Sequence, residues 1–157
     1  LADVLEQALQ LLSPRIRSEQ VEVFRQVPTE ATVRGDAIRL EQVLINLLHN
    51  ALDAMAERPQ RRLRILCRRV GDAWQLSVAD NGGGIASEHL DQVFEPFFTT
   101  RRGTGGTGLG LHIVYNIVTQ SLGGTIEVRS AVGEGAAFIL AIPRTAPGQV
   151  ELWIDER

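Results

Sequence analysis

Eight of the fifteen glycines in this chain fall between Gly82 and Gly110. They form two runs, Gly82-Gly83-Gly84 and the longer Gly103-Thr104-Gly105-Gly106-Thr107-Gly108-Leu109-Gly110-Leu111. Glycine reaches backbone conformations that other residues avoid and lets main chain approach a ligand closely. Such clustering in an otherwise ordinary chain points to backbone shaped around a bound molecule. The remainder reads as globular: 157 residues, 44% hydrophobic and 22% charged, suit one domain with its own core and leave little room for a second.

Several function classes drop out on composition. No run approaches the roughly 18 to 20 apolar residues of a membrane span, and no basic-then-apolar N-terminal signal is visible, so no membrane contact is expected from this segment. The single cysteine, Cys67, has no internal partner, and no Cys/His cluster has zinc spacing, which suits a reducing cytoplasm. A net charge of -3 argues against a general nucleic-acid surface. All 16 basic residues are arginine, which excludes a Schiff-base lysine and a P-loop lysine.

Periodicity predicts the elements. Leu1, Val4, Leu5, Ala8, Leu11 and Leu12 have helical spacing, ending near Pro14. A short strand is expected at 21–27 and a second extended piece near 31–33. From the candidate N-cap Asp36, Leu40, Val43, Leu44, Leu47, Leu48, Ala51 and Met55 mark a long helix to about Ala56. Strict alternation at 62–68 and 74–79, around Gly71-Asp72, predicts a hairpin. Helical spacing returns at 109–122, and two strands near 125–130 and 137–142 flank Gly133-Glu134-Gly135. Helices mixed with mostly antiparallel strands predict an α+β fold, a two-layer sandwich with one sheet face covered by helices.

Three features could carry chemistry. On the long helix, Arg39, Gln42, Asn46, Asn50 and Asp53 are spaced by three and four and share a face. That stripe is either a solvated surface or, since asparagine is a poor interior helix residue, a pair of amide oxygens suited to a hard cation such as magnesium. Asp80 continues the period of Trp74, Leu76 and Val78, which places its carboxylate on the buried face of a strand where it requires a partner. The alternative is an aspartate-rich turn. The second glycine run leads directly into a helix, an arrangement that suits an anion, although it lacks the Gly-Lys-Ser/Thr of a P-loop. Asparagine helix, strand-end aspartate and glycine loop, in that order, point to a nucleotide pocket.

In these residues the chain resembles the catalytic, ATP-binding domain of sensor histidine kinases. Gln42-Val43-Leu44-Ile45-Asn46-Leu47-Leu48-His49-Asn50-Ala51 is similar to that family's asparagine box, and Asp80-Asn81-Gly82-Gly83-Gly84-Ile85 to its first glycine box. Phe94-Glu95-Pro96-Phe97-Phe98 resembles its phenylalanine box, Gly106-Thr107-Gly108-Leu109-Gly110-Leu111 its second glycine box, and Gly133-Glu134-Gly135 a third. Phe97-Phe98-Thr99-Thr100 and the helix box look most like the nitrogen-regulatory and dicarboxylate-sensing branch.

The resemblance implies a Bergerat fold: a mixed, mostly antiparallel sheet under three helices, with a mobile ATP lid over about residues 94–107. The domain would occupy 1–144, leaving 145–157 as a tail of unassigned role. Asn50 would coordinate Mg²⁺ on the ATP phosphates, with Asn46 beside it and Asp53 further along the same face. Asp80 would accept the adenine amino group in a pocket shaped by Gly82, Gly84 and Ile85. Thr99, Thr100 and Arg101 would face the nucleotide from the lid, and Gly106, Thr107, Gly108, Leu109, Gly110 and Leu111 would hold the triphosphate. Asn46, Asn50 and Arg101 are the implied catalytic set. Two positions depart from the family: Arg101 stands where lysine is frequent, and Ala136 where threonine is frequent, removing a hydroxyl beside Asp80.

The activity implied is transfer of the ATP γ-phosphate to a histidine on a separate dimerisation domain of the same kinase, and from there to a response-regulator receiver domain. The isolated domain would be a monomer and the full-length protein a homodimer, cytoplasmic or at the cytoplasmic end of a membrane-bound sensor. His49, His89 and His112 lack the acceptor context. In the related gyrase and heat-shock chaperone ATPases a glutamate one turn before the metal-binding asparagine activates water; here Asn46 stands there. The alternatives are a silent ATP-binding or docking module and a stand-alone anti-sigma-type serine kinase, the latter disfavoured by the phenylalanine box.

Overall fold

Strand alternation builds one five-stranded sheet: β1 (Val21–Gln26), β2 (Arg61–Val70), β3 (Ala73–Asp80), β4 (Thr125–Ser130) and β5 (Ala136–Pro143), in the order β1-β2-β3-β5-β4. The structure is a computed structural model that describes residues 1–33, 35–100 and 108–144. β1 runs parallel to β2, and every other neighbouring pair is antiparallel. Gly71, at φ +60°, turns β2 into β3. Because side chains alternate across a strand, the register aligns whole rows on one face. Ile65, Val78, Phe138 and Val128 form one such row, and Cys67, Leu76, Leu140 and Ile126 the next. Burial pushes the Cys67 thiol up to about 11, so it stays protonated and packs as a small apolar group.

The α-helices among the described residues are α1 (Ala2–Leu11), α2 (Ser13–Ser18), α3 (Ala37–Ala54) and α4 (Gly110–Asn116). α1, α3 and α4 cover the sheet's apolar face, as predicted, while the short α2 buries none of its side chains. α3 is the central piece. Its side chains Val43, Leu44, Leu47, Leu48, Ala51 and Leu52 are buried against the sheet and its helical neighbours. At its start, Asp36 Oδ1 accepts from the amides of Ile38 at 2.9 Å and Arg39 at 3.2 Å, the N-cap anticipated from the sequence.

The opening helix ends at Leu11, near Pro14 as expected, and Pro14 then stands in the first turn of the separate helix α2, where its missing N–H is no loss. Two further expectations are refined. The piece at 31–33 belongs to no strand of the sheet; Ala31 is buried and the Thr32 carbonyl accepts from Trp74 Nε1 at 3.1 Å. The last helix is not α-helical throughout: Ile117–Ser121 is a π-helical turn, closed by Leu122 N donating to Ile117 O at 2.9 Å.

Candidate functional site

The apolar face of the sheet changes character at one end. Its final row is Leu63, Asp80, Ala136 and Ser130, side by side on β2, β3, β5 and β4. Among the described residues Asp80 is the one buried charge, 8% exposed. Its Oδ1 accepts from Gly82 N at 2.8 Å, which folds the Gly82-Gly83-Gly84 turn back beside the carboxylate. Glycine is required at two of these positions. A Cβ on Gly82 would strike the Ala54 carbonyl at the end of α3, and Gly84, at φ +76°, has the Ala131 carbonyl where its Cβ would stand.

Between this turn, α3 and the start of α4 lies an open cleft of about 1340 Å³. Asn46, Asn50 and Asp53 line its α3 wall. Asp80, Gly84, Ile85 and Ala136 line it beside the sheet, Thr99 and Thr100 face it from the opposite loop, and Gly108, Gly110 and Leu111 close it near α4. Two contacts locate its ends along α3. Gly83 N donates to Ala54 O at 3.2 Å, and Asn46 Nδ2 to Gly110 O at 3.4 Å. Eight helical residues separate Ala54 from Asn46, or about 12 Å at 1.5 Å per residue. The cleft is therefore long enough for an extended ligand, with a carboxylate near one end and amides towards the other.

The structure brings together most of the expected residues and separates a few. The polar stripe on α3 divides: Asn46, Asn50 and Asp53 reach the cleft, whereas Arg39 turns to Ser121 Oγ at 2.9 Å. Asp53 is engaged by a cation, since Arg15 of α2 donates to its Oδ1 at 2.6 Å and contacts His49 Nδ1 at 3.2 Å. Arginine only donates, so His49 Nδ1 is the acceptor. Gly82 stands behind the turn and Leu109 at the N-cap of α4, while Ile85 and Leu111 contribute apolar lining. Arg101, Gly106 and Thr107, and with them the second half of the expected lid, lie outside the described residues, as do residues 145–157.

The phenylalanine segment is only partly a packing element. Phe94 is edge-on to Phe138 and close to Tyr115, with ring centroids at 6.1 and 5.5 Å. His112 Nδ1 lies 3.1 Å from the Phe94 carbonyl. Phe97, by contrast, is 61% exposed at φ +65°, and its N–H donates to Gly108 O at 2.9 Å. That bond ties the phenylalanine segment to the second glycine run at Gly108, just before α4.

Sequence reasoning missed several residues here. Arg58, between α3 and β2, donates from Nη2 to Gly82 O at 2.9 Å and to Gly133 O at 3.0 Å. Ser130 Oγ accepts from Ile85 N at 2.8 Å and donates to Gly135 O at 2.6 Å. Ser130 continues the period of Ile126 and Val128, the signal that exposed Asp80. Arg58 and Arg15 sit in no periodic pattern.

The donor set fits a nucleotide with a magnesium ion. Among the described residues no group of three His, Cys, Asp or Glu side chains could hold a metal alone. Amide oxygens beside a phosphate site suit Mg²⁺, which takes few protein ligands and completes its octahedron with water and phosphate oxygens. Beside the glycine turn the cleft is lined by the Asp80 carboxylate, a hydrogen-bond acceptor that suits a base carrying an amino group.

Comparison with known proteins agrees. Residues 35–146 match the family model described as histidine kinase-, DNA gyrase B-, and HSP90-like ATPase. The two-component sensor PprA of Pseudomonas aeruginosa is 44% identical over 152 residues, 92% of this chain and 16% of PprA. The C4-dicarboxylate transport sensor protein DctB of the same organism is 39% identical over 150 residues, 94% of this chain and 24% of DctB. This chain thus spans less than a quarter of either relative's length. The catalytic domain of histidine kinase ThkA superposes with a TM-score of 0.81 at 33% identity, covering 92% of this chain and 93% of that one. A ThkA structure in complex with response regulator protein TrrA matches at TM-score 0.77 and 29% identity, covering 92% and 40%. With its ordered boxes, mixed sheet and glycine-walled cleft, this chain belongs to the histidine kinase-, DNA gyrase B- and HSP90-like ATPase family, and its fold is that of the histidine kinase catalytic domain it superposes on.

Proposed function

We propose that this domain binds Mg·ATP in the cleft and presents the γ-phosphate to a histidine on a separate dimerisation domain of the same kinase, from which a response-regulator receiver accepts it. Asp80 takes the hydrogen bond of the adenine amino group, with Gly82, Gly84, Ile85 and Ala136 around the base. Asn50 holds Mg²⁺, and Asn46 lies beside the same phosphates. Thr99, Thr100, Arg101 and the run Gly106, Thr107, Gly108, Leu109, Gly110 and Leu111 enclose the triphosphate, with Asp53 at the rim. Held by Asn50, the ion would supply neutralisation of phosphate charge, most of what phosphoryl transfer asks of a site. The chain's own residues supply position.

One observation carries the reading towards a phosphate donor rather than a hydrolase. One turn before Asn50 stands Asn46, an amide in contact with the Gly110 carbonyl. An amide cannot take a proton from water. Asp53, one turn after Asn50, is bound by Arg15, and Asp80 accepts from Gly82 N near the other end of the cleft. The position one turn before Asn50 is thus held by an amide and not by a base, which favours a phosphate that survives until an acceptor arrives. The ThkA–TrrA complex supports the partner assignment, and the isolated domain 1–144 is proposed to be a monomer within a dimeric kinase at the cytoplasmic face.

Incubation with γ-labelled ATP and Mg²⁺ tests this. The chain alone is expected to remain unlabelled and to leave ATP nearly intact, while a dimerisation domain bearing the cognate acceptor histidine gains acid-labile label. Rapid hydrolysis by the chain alone defeats the donor reading. ATP binding without transfer to the cognate acceptor favours a silent module, and acid-stable label on a serine favours an anti-sigma-type kinase.

A further inference from the structure

Two hydrogen-bonded bridges join the same pair of turns. On one side, Arg58 Nη2 spans the carbonyls of Gly82 and Gly133 at 2.9 and 3.0 Å. On the other, Ser130 Oγ spans the Ile85 amide and the Gly135 carbonyl at 2.8 and 2.6 Å. Between them a direct main-chain bond, Gly133 N to Gly83 O at 2.8 Å, closes the same gap. The bridged segments are the turn after β3, which carries the Asp80 carboxylate's own partner Gly82, and the turn between β4 and β5 that leads into Ala136. Asp80 and Ala136 are register neighbours, so the two turns are adjacent walls around one carboxylate.

Neither bridge follows from the strand ladder. The ladder between β3 and β5 ends at the Asp80–Ala136 pair, and beyond it the turns are glycine-rich, with Gly84, Gly133 and Gly135 all at positive φ. Such segments have little intrinsic preference for one conformation. Without cross-links the space beside Asp80 would vary in width. A guanidinium and a hydroxyl placed on opposite flanks supply two fixed distances, and two distances set the separation of two turns.

We propose that Arg58 and Ser130 form a two-point clasp that holds the first and third glycine turns together around Asp80, and thereby sets the affinity and base selectivity of the adenine pocket. Both are positioning residues, acting through the backbone of residues 82–85 and 133–135. This rests on the assignment of the Asp80 end of the cleft to the base. Arginine suits its place because one planar group reaches two carbonyls on different turns, whereas lysine offers a point charge on a flexible stem. Ser130 suits its own because one hydroxyl donates and accepts at once.

The test uses the intact chain with Arg58→Met, which keeps much of the stem but removes the donors, Arg58→Lys, Ser130→Ala and the double variant. In the nucleotide-free protein, amide hydrogen exchange at Gly133 is expected to quicken in Arg58→Met and at Ile85 in Ser130→Ala, with the strand amides unchanged. Calorimetric titration with adenosine, ADP and ATP is then expected to show each single variant weakened about tenfold, by the same factor for all three ligands. The preference for ATP over GTP narrows, Arg58→Lys recovers part of the loss, and the double variant loses less than the product of the singles because both bridges guard one gap.

Loss for ATP with none for adenosine overturns the proposal and makes Arg58 a phosphate contact. Altered exchange with unaltered affinity and unaltered ATP-to-GTP ratio also overturns it, leaving both residues with a purely structural role. Wild-type protein that binds neither adenosine nor ATP defeats the adenine assignment, and the clasp's role in base recognition with it. The exchange measurement, which needs no nucleotide, shows separately whether the bridges exist.

Discussion

Asp80 concentrates the logic of the site in one side chain. Its carboxylate is carried into the buried face by the alternation of β3, and a buried charge is tolerated only where partners meet it. One oxygen already accepts from Gly82 N, so the residue shapes the turn as well as serving the base. Asp80→Asn separates the two duties: an amide oxygen keeps the bond to Gly82, while an NH₂ replaces an acceptor. The fold should survive and ATP affinity should fall by more than tenfold, since such a bond is worth roughly 1.5 to 3 kcal/mol. The loss should be equal for ATP and adenosine, and GTP should bind the wild type poorly because its exocyclic oxygen would face the carboxylate. Undiminished ATP affinity in the variant would remove Asp80 from base recognition. Asp80 was legible in the sequence because period two is a strong signal at the end of a strand. Ser130 obeys the same signal, but a serine after two branched apolar residues reads equally as a strand ending. Arg58 and Arg15 were illegible for a physical reason: each acts across the fold on groups distant in sequence, 75 residues away for Gly133 and 38 for Asp53.

Among the elements, α3 does two jobs with two faces. Its apolar face is buried under the sheet's cover, and its polar face carries Asn46, Asn50 and Asp53 into the cleft. Its 3.6-residue period made both faces readable, and Asp36 marked its start. What periodicity could not show is how the polar face divides between the cleft and partners on other elements, because that depends on where α2, α4 and the π-helical turn fall. Ile117 and Val118, at the start of the π turn, continue the helical spacing of Ile113 and Val114, which is why the sequence suggested an unbroken helix. Asp36→Ala removes an acceptor shared by two orphan amides and is expected to lower stability by about 1 kcal/mol. ATP affinity should be unaffected, since Asn46 lies ten residues into the element. Equilibrium denaturation beside calorimetric titration separates the two quantities. A large fall in affinity at unchanged stability would show that the helix start communicates with the cleft directly.

At the scale of the molecule, the cleft is bounded by parts of the chain far apart in sequence: the end of β3, the polar face of α3 and the start of α4. A ligand that touches all three adds bonds absent from the unfolded chain, so nucleotide binding should appear as thermal stabilisation. At a hundredfold excess over its dissociation constant a ligand contributes about 2.7 kcal/mol, or about 5 to 10 °C in a domain of this size. The chemistry of the two ends makes that shift divisible. Adenosine engages only the Asp80 end and should stabilise the protein equally with or without Mg²⁺. ATP reaches the amides, so its shift should shrink when the metal is withdrawn with EDTA and regrow when magnesium is restored. In Asn50→Ala the adenosine shift should persist while the magnesium-dependent increment disappears, because the amide oxygen proposed to hold the ion is gone. An increment that survives the substitution would assign the metal to phosphate and water alone, and would reduce Asn50 to one more polar residue on the wall of the cleft.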